Sequence, residues 1–325
     1  MKQVNIAIVI GLMLIVGQTQ AQKVIFVRPD AQGDGSSWSQ ALGSLQQALA
    51  QAQAGDQIWV AAGIYRPGNQ REASFFIPAG VALYGGFAGN ESSLETRDPE
   101  AHPTILSGEI GQPGIEDNVY TVVTIGACGP ETRLDGFIIT LGNAFDKASE
   151  TDARRCGGGL YIDGSKGAAA PTIVHCVFRE NTARVGGAVY LNGQRGQCAP
   201  IFEYCTFASN KAGVDGGAIY SDARNNGSAK PVFRFCTFQD NEATYGGAIV
   251  NAAGNGQCEL RAEQSVFKHN MALAKGGGIY DLHASRRCRT ILSDCVFQRN
   301  LPDDHSQVFM GYNSTNKQLY RLEKR

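Results

Sequence analysis

Asn181 to Tyr190 reads NTARVGGAVY, and the chain returns to this stretch again and again. Close variants are NKAGVDGGAIY from Asn210, NEATYGGAIV from Asn241 and NMALAKGGGIY from Asn270. Gly-Gly pairs open at Gly157, Gly186, Gly216, Gly246 and Gly276, a step of 29 and then three of 30. Each is followed by an aliphatic residue (Leu160, Val189, Ile219, Ile249, Ile279) and then by Tyr161, Tyr190, Tyr220, Val250 or Tyr280. Ahead of these repeats runs a second motif, Phe-x-x-Asn, at Phe178/Asn181, Phe207/Asn210, Phe238/Asn241, Phe267/Asn270 and Phe297/Asn300. Two residues before each Phe stands Cys176, Cys205, Cys236, Ser265 or Cys295.

Between the motifs, apolar residues alternate over short β-branched and aromatic runs such as PIFEYCTF and PVFRFCTF. That is strand periodicity. Repeats of this length, each too small to bury a core alone, specify a solenoid with one repeat per coil. The reading is an all-β, single-stranded right-handed parallel β-helix. Its coils stack at the inter-strand spacing of ~4.8 Å, so equivalent residues form columns. Asn181, Asn210, Asn241, Asn270 and Asn300 are expected to stack as an amide ladder, with Asn also suited to a left-handed turn. The Phe and Cys/Ser columns and the aliphatic column are expected inside.

Upstream, DQIWVAAGIY, GVALYGGFAG, PTILSG, VYTVVTIG and LDGFIITLGNA read as earlier, less regular coils. Before them GSLQQALAQAQAGD predicts a short capping helix, with Ser44 and Gln47 as a capping box and Gly55 as its stop. It would cover the open first coil. Residues 1–21 carry a short apolar run, Ile6 to Val16, followed by Thr19-Gln20-Ala21, and are expected to be an export signal. The expected organisation is therefore 1–21 signal, 22–56 N-terminal cap, 57–300 β-helix and 301–325 C-terminal cap or tail.

The full chain of 325 residues carries 29 Lys+Arg and 30 Asp+Glu. Removing residues 1–21 takes away one Lys, so 28 − 30 leaves −2. Near-neutral charge without a basic run gives no reason to expect nucleic acid, and after signal removal no membrane span is expected. A secreted or cell-surface monomer is the expectation.

The Phe-x-x-Asn and Gly-Gly-Ala-aliphatic pair resembles the repeat of the chlamydial polymorphic outer membrane proteins, which are adhesins. More widely, GDGSSWSQAL, AGDQIWVAAGIYRP, VALYGGFAGNES, TILSGEIGQ, LDGFIITLGNA and the GGxxY coils resemble secreted β-helix proteins of Bacteroidetes within the pectin-lyase-like superfamily. The resemblance covers about residues 24–300 and implies the fold. For activity it implies adhesion or glycan binding, with polysaccharide lyase or glycosidase as the alternative and a structural spacer as the third reading.

If the aliphatic column points in, Tyr161, Tyr190, Tyr220 and Tyr280 point out, and are expected to form a file that stacks sugars or packs a partner. A lyase needs basic groups converging on one exterior face. The candidates Asp152, Arg154 and Arg155, and Asp281, His283, Arg286 and Arg287, are expected about four coils apart, ~20 Å. Asp163, Asn192 and Asp222 fall at equivalent turns and carry the oxygens Ca²⁺ takes, but they are ordinary turn residues, and no cofactor is expected. Asp303, Asp304 and His305 read as a solvated terminal turn. Asn90, Asn226 and Asn313 lie in N-x-S/T sequons. Among nine Cys, Cys258 and Cys288 sit in equivalent loops of adjacent coils and are the expected disulfide; without a CxxC, zinc is not expected.

Overall fold

The computed structural model describes residues 22–111, 114–146, 152–282 and 287–306. The expected signal, His283, Arg286, Asn313 and the tail from 307 lie outside the described residues. Every strand pairing in it is parallel. The chain winds as a right-handed parallel β-helix of about 9 turns. Sheet I has twelve strands among the described residues: Val24–Val27, Gln57–Ala61, Ala82–Phe87, Arg133–Asp135, Thr172–Val174, Ile201–Glu203, Val232–Arg234, Gln257–Glu263 and Cys288–Ser293, with the short Ala168–Ala169, Gln197–Cys198 and Ser228–Ala229 beside them. Sheet II runs from Gly63–Tyr65 to Val296–Gln298, and sheet III from Asn143–Ala144 to Met271–Lys275. Sheet IV runs from Phe75–Ile77 to His305–Ser306 and contains the GGxxY strands.

The repeat sets the register. Phe178, Phe207, Phe238, Phe267 and Phe297 are paired in succession. Their rings stack inside the helix with centroids 4.7–5.1 Å apart. Fully burying one such ring contributes about 1.5–3 kcal/mol, so the column is a main source of core stability. Phe202 and Phe233 of sheet I meet it edge-on. Cys176, Cys205 and Cys236 are buried beside it, and burial pushes the Cys176 thiol up to about 12.

The asparagines form a ladder at the turn from sheet II to sheet III. Asn241 Oδ1 accepts from both the backbone N–H and the Nδ2 of Asn210, while Asn241 Nδ2 donates to Phe207 O and Asn270 Oδ1. The same pattern links Asn181 to Asn210 and Asn270 to Asn300. The left-handed residue of this turn is the one before each Asn: Glu180, Ser209, Asp240, His269 and Arg299 have φ of +53° to +55°. The amide therefore serves the ladder and not the turn conformation, contrary to the expectation from Asn preferences.

The α-helix Leu45–Gln51 buries Leu45, Ala48 and Leu49 against the first coils, and Ser44 Oγ accepts from the Gln47 N–H at 3.3 Å. It ends at Ala52; Gly55, at φ +96°, makes the next turn and donates to Gly80 O. Val24–Val27 already pairs with Gln57–Val60. The β-helix thus starts near Val24, not at residue 57, because VIFV alternates like any other strand. At the other end His305–Ser306 pairs with Ile279–Tyr280. Asp303 and Asp304 accept from Gly276 N and Asn300 Nδ2, closing the last described coil instead of forming a solvated turn.

Candidate functional site

The tyrosine file exists but is not a surface. Tyr161, Tyr190, Tyr220 and Tyr280 are all less than 9% exposed. With Cys156, Val250 and Ala252 they form a second apolar cluster on sheet IV, with Val185, Tyr245 and Leu282 packed against it. Tyr190 stacks on Tyr161 and Tyr220, with centroids 5.3 and 5.6 Å away. Its hydroxyl donates to Asp222 Oδ2 at 2.6 Å. The expectation of exposed sugar-stacking rings is overturned, because all four are buried, and over Tyr190 the loop after its strand folds back. Gln194 reaches Tyr190 OH and Asp222, Asn225 holds Gln194, and Arg224 pairs with Asp222 at 2.8 Å. Burial pushes the Tyr190 phenol well above its ordinary range, so it stays a neutral donor.

The turn oxygens are committed to the same network. Asp222 is enclosed by Arg224, Tyr190 and Gln194, and Asn192 Nδ2 donates to Tyr161 OH and Asp163 Oδ1. They form a hydrogen-bonded seam between coils, not a set of oxygens turned toward one ion. Among the described residues, no group of three or more His, Cys, Asp or Glu is placed to hold a metal.

Beyond that seam the loops build a groove. Between sheets IV and I each coil inserts a short turn: Gly164 to Gly167, Gly193 to Gly196, Arg224 to Gly227 and Gly254 to Gly256. Each turn hydrogen bonds to its neighbour; Gln197 N, for instance, donates to Gly164 O and Gly167 O. The glycines are required by contact: a Cβ on Gly196 would lie 2.0 Å from Gly164 O, and one on Gly256 1.7 Å from Ala223 O. With the floor so close, Lys166, Arg195, Asn226, Lys230 and Asn255 are left exposed above it, while Gln194 turns down into the seam. The result is a cavity of ≈ 990 Å³ whose walls include Lys166, Arg195, Lys230 and Arg287, with Gln197, Asn226, Asn255 and Gln257 between them. No carboxylate lines it.

From the 164 turn to Arg287 is four coil steps, or about 19 Å. Lys166, Arg195 and Lys230 make no ion pair among the described residues. The disulfide joins Cys258 to Cys288 at a Cα separation of 4.5 Å. It ties down Gln257 and Arg287, each one residue before a bridging Cys.

The other basic groups do not join this groove. Arg154 faces Asp152 and Asp146, at 3.0 and 4.0 Å, near sheet III. Asp281 points into the core, where burial pushes its carboxyl up to about 6. A convergent charged cluster does occur at the corner of sheets I and II. There buried Asp135 meets Arg97 (2.6 Å), Arg133 (2.7 Å) and His175 (3.4 Å). Arg97 Nη1 also donates to Gly85 O, so this cluster is consumed in holding the turn. Beside it His175, Tyr204 and Phe235 stack, with centroids 5.2 and 4.8 Å apart. Their faces cover one another and their edges face solvent. Sequence reasoning missed both features. Of the groove's cations only Lys166 and Arg195 share a loop position, too short a run to read as a column, whereas the aromatic ridge was readable in HCVF, YCTF and FCTF.

Comparison with solved structures finds a pectate lyase, Pel9A (12% identity, TM-score 0.47, covering 86% of this chain and 78% of that one). The Escherichia coli protein ybhc follows at 13% identity and TM-score 0.43, covering 86% and 72%. The pectin methylesterase from Aspergillus niger matches at 13% identity and TM-score 0.40, covering 89% and 90%. No curated protein matches the chain. A family model described as "Protein of unknown function (DUF1565)" matches residues 29–214, which is 186 of the 325 residues, and the chain belongs to that family.

Proposed function

We propose that the protein is an extracellular or cell-surface binding module, and that its loop groove holds a linear anionic glycan along the solenoid axis. The observation that carries this reading is the 990 Å³ groove with four cations and no carboxylate on a chain of near-neutral charge. Local positive potential attracts an acidic polymer and orients it. The interleaved amides of Gln197, Asn226, Asn255 and Gln257 offer donors and acceptors to hydroxyls. Each coil advances by ~4.8 Å, about the length of one sugar residue. The groove has no aromatic platform, which single-stranded nucleic acids use for base stacking. The repeat's resemblance to adhesin repeats and the N-terminal export-like segment point the same way.

The test is binding of residues 22–325 to an array of acidic and neutral polysaccharides. The protein should come from a host that does not glycosylate, since Asn226 lies in both a sequon and the groove. Acidic glycans should bind, and neutral ones should not. Exposed charge contacts contribute about 0.2–1 kcal/mol each, so Arg195→Ala/Lys230→Ala should weaken binding by roughly 2- to 30-fold. Indifference to charge, or to that double variant, sinks the reading. Absorbance from unsaturated uronate in the same wells would replace it with a lyase.

A further inference from the structure

A second concave site lies across sheet IV from the groove, at the corner with sheet III. It is a cavity of ≈ 590 Å³ lined by Phe145, Asp146, Arg155 and Arg184, within the size range of small-ligand sites. Phe145 is 53% exposed, yet it has a dedicated seat. A Cβ on Gly213 would lie 2.8 and 2.9 Å from its ring carbons, so only glycine lets the ring lie there. The ring edge thereby rests against the backbone while the ring remains half open. Cys156 bridges Val185, which makes Arg155 and Arg184 register neighbours one coil apart.

Arg184 makes no ion pair among the described residues, and Asp146 is set opposite Arg154. Behind Arg184, Asp215 pairs in register with Val185. Burial pushes its carboxyl up to about 6 in spite of Arg224 and Arg184, which weakens its claim on the guanidinium. An aromatic face beside two guanidiniums takes a ring with an apolar C–H face and a planar oxyanion: the ring packs on Phe145 and the oxyanion is held by forked N–H donors.

We propose that this niche binds a six-membered sugar ring carrying a carboxylate, independently of the loop groove. The same chemistry is offered by a free sugar acid and by the acidic end of a glycan chain. Saturation-transfer NMR on residues 22–325 would therefore use D-glucuronate, D-glucose and a short oligosaccharide with a terminal glucuronate. Glucuronate should give signal and glucose at least tenfold less. Phe145→Ala or Arg184→Ala should abolish it, and Arg184→Lys, which keeps charge but loses the fork, should weaken it several-fold. Arg195→Ala/Lys230→Ala should leave it intact, so that failure of the groove reading and of this one are separable. A stronger signal from the oligosaccharide assigns the niche to chain ends, and from the monomer to free acids. Equal signal from glucose, survival of binding in Phe145→Ala/Arg184→Ala, loss only in the groove variant, or silence from both acidic probes overturns the proposal. Because Phe145 and Arg184 are surface residues, thermal unfolding followed by circular dichroism should match the parent; if Phe145→Ala unfolds, the Arg184→Lys result decides.

Discussion

Replacing Asn241 by Ala removes a middle rung of the amide ladder, and the structure sets the size of the effect. Asn241 Oδ1 is the acceptor for the Asn210 backbone N–H at 3.1 Å, and Asn241 Nδ2 donates to Phe207 O at 2.9 Å. Both sites are buried. Asn210 Nδ2 keeps Phe178 O, and Asn270 Oδ1 keeps the Asn241 N–H, so the loss centres on one backbone donor and one backbone acceptor. Leaving a buried polar group without its partner costs about 1–3 kcal/mol. A carbonyl that keeps another bond sits at the low end, which gives about 2–4 kcal/mol in total. Because solenoids open locally, native-state hydrogen exchange is the right assay. Amides around Asn210 should exchange roughly 30- to 1000-fold faster, while those of the first coils stay protected. Asn300→Ala orphans the Asn270 N–H and Phe267 O in the same way and should speed exchange around Asn270 instead. A change below about 0.5 kcal/mol at Asn241, or faster exchange that does not centre on the coil of the replaced rung, would refute the claim that the ladder stabilises the coil stack.

Other perturbations follow from the same geometry. Cys258→Ser/Cys288→Ser opens a loop of 30 residues, which chain entropy values at about 3.6 kcal/mol; denaturant titration should show that loss, along with weaker glycan binding as Gln257 and Arg287 are released. Asp281 has its carboxyl raised from 3.8 to about 6, so the folded state holds a proton that the unfolded state has released between those values. Its cost is absent below pH 4 and grows to about 3 kcal/mol above pH 6; Asp281→Asn should raise the melting temperature at pH 8 but not at pH 4. Tyr190→Phe removes a buried hydrogen bond to Asp222 and should cost about 1.5–3 kcal/mol without changing glycan affinity at a temperature where both forms are folded.

What was legible in the sequence was whatever the repeat forces into register. The Phe column, the aliphatic column and the asparagines recur at fixed offsets because each must meet its own copy one coil away, and the pairing follows directly. Side-chain alternation also placed the tyrosines correctly on the outer side of sheet IV. It failed to say whether that side is wet, since alternation distinguishes faces and not what folds over them. The covering network runs through Gln194, Asn225 and Arg224, residues in loops where the repeat is loosest. The early coils were blurred for a related reason: strands such as Val24–Val27 pair without carrying any motif of the later repeats.

The same reasoning explains why the cationic groove belongs to the loops. In a stacked solenoid, a large side chain repeated in every coil has its own copies as nearest neighbours, about 4.8 Å away. Aromatic residues satisfy one another in such a column, as the buried tyrosines and the edge-out His175, Tyr204 and Phe235 do. Cations cannot, because four like charges at one repeated position would repel at that spacing. Lys166 and Arg195 share one turn position in adjacent coils, whereas Lys230 and Arg287 occupy two others, so only two of the four are neighbours in a column while all four line one cavity. Asn255 stands in the coil between Lys230 and Arg287, and Asn226 in the same coil as Lys230. The cations are thereby spread along the axis, and no carboxylate of the cavity lining opposes their field. A groove of this kind leaves only a partial periodic trace in the sequence, Lys166 and Arg195 one repeat apart, because a full column of cations would repel itself.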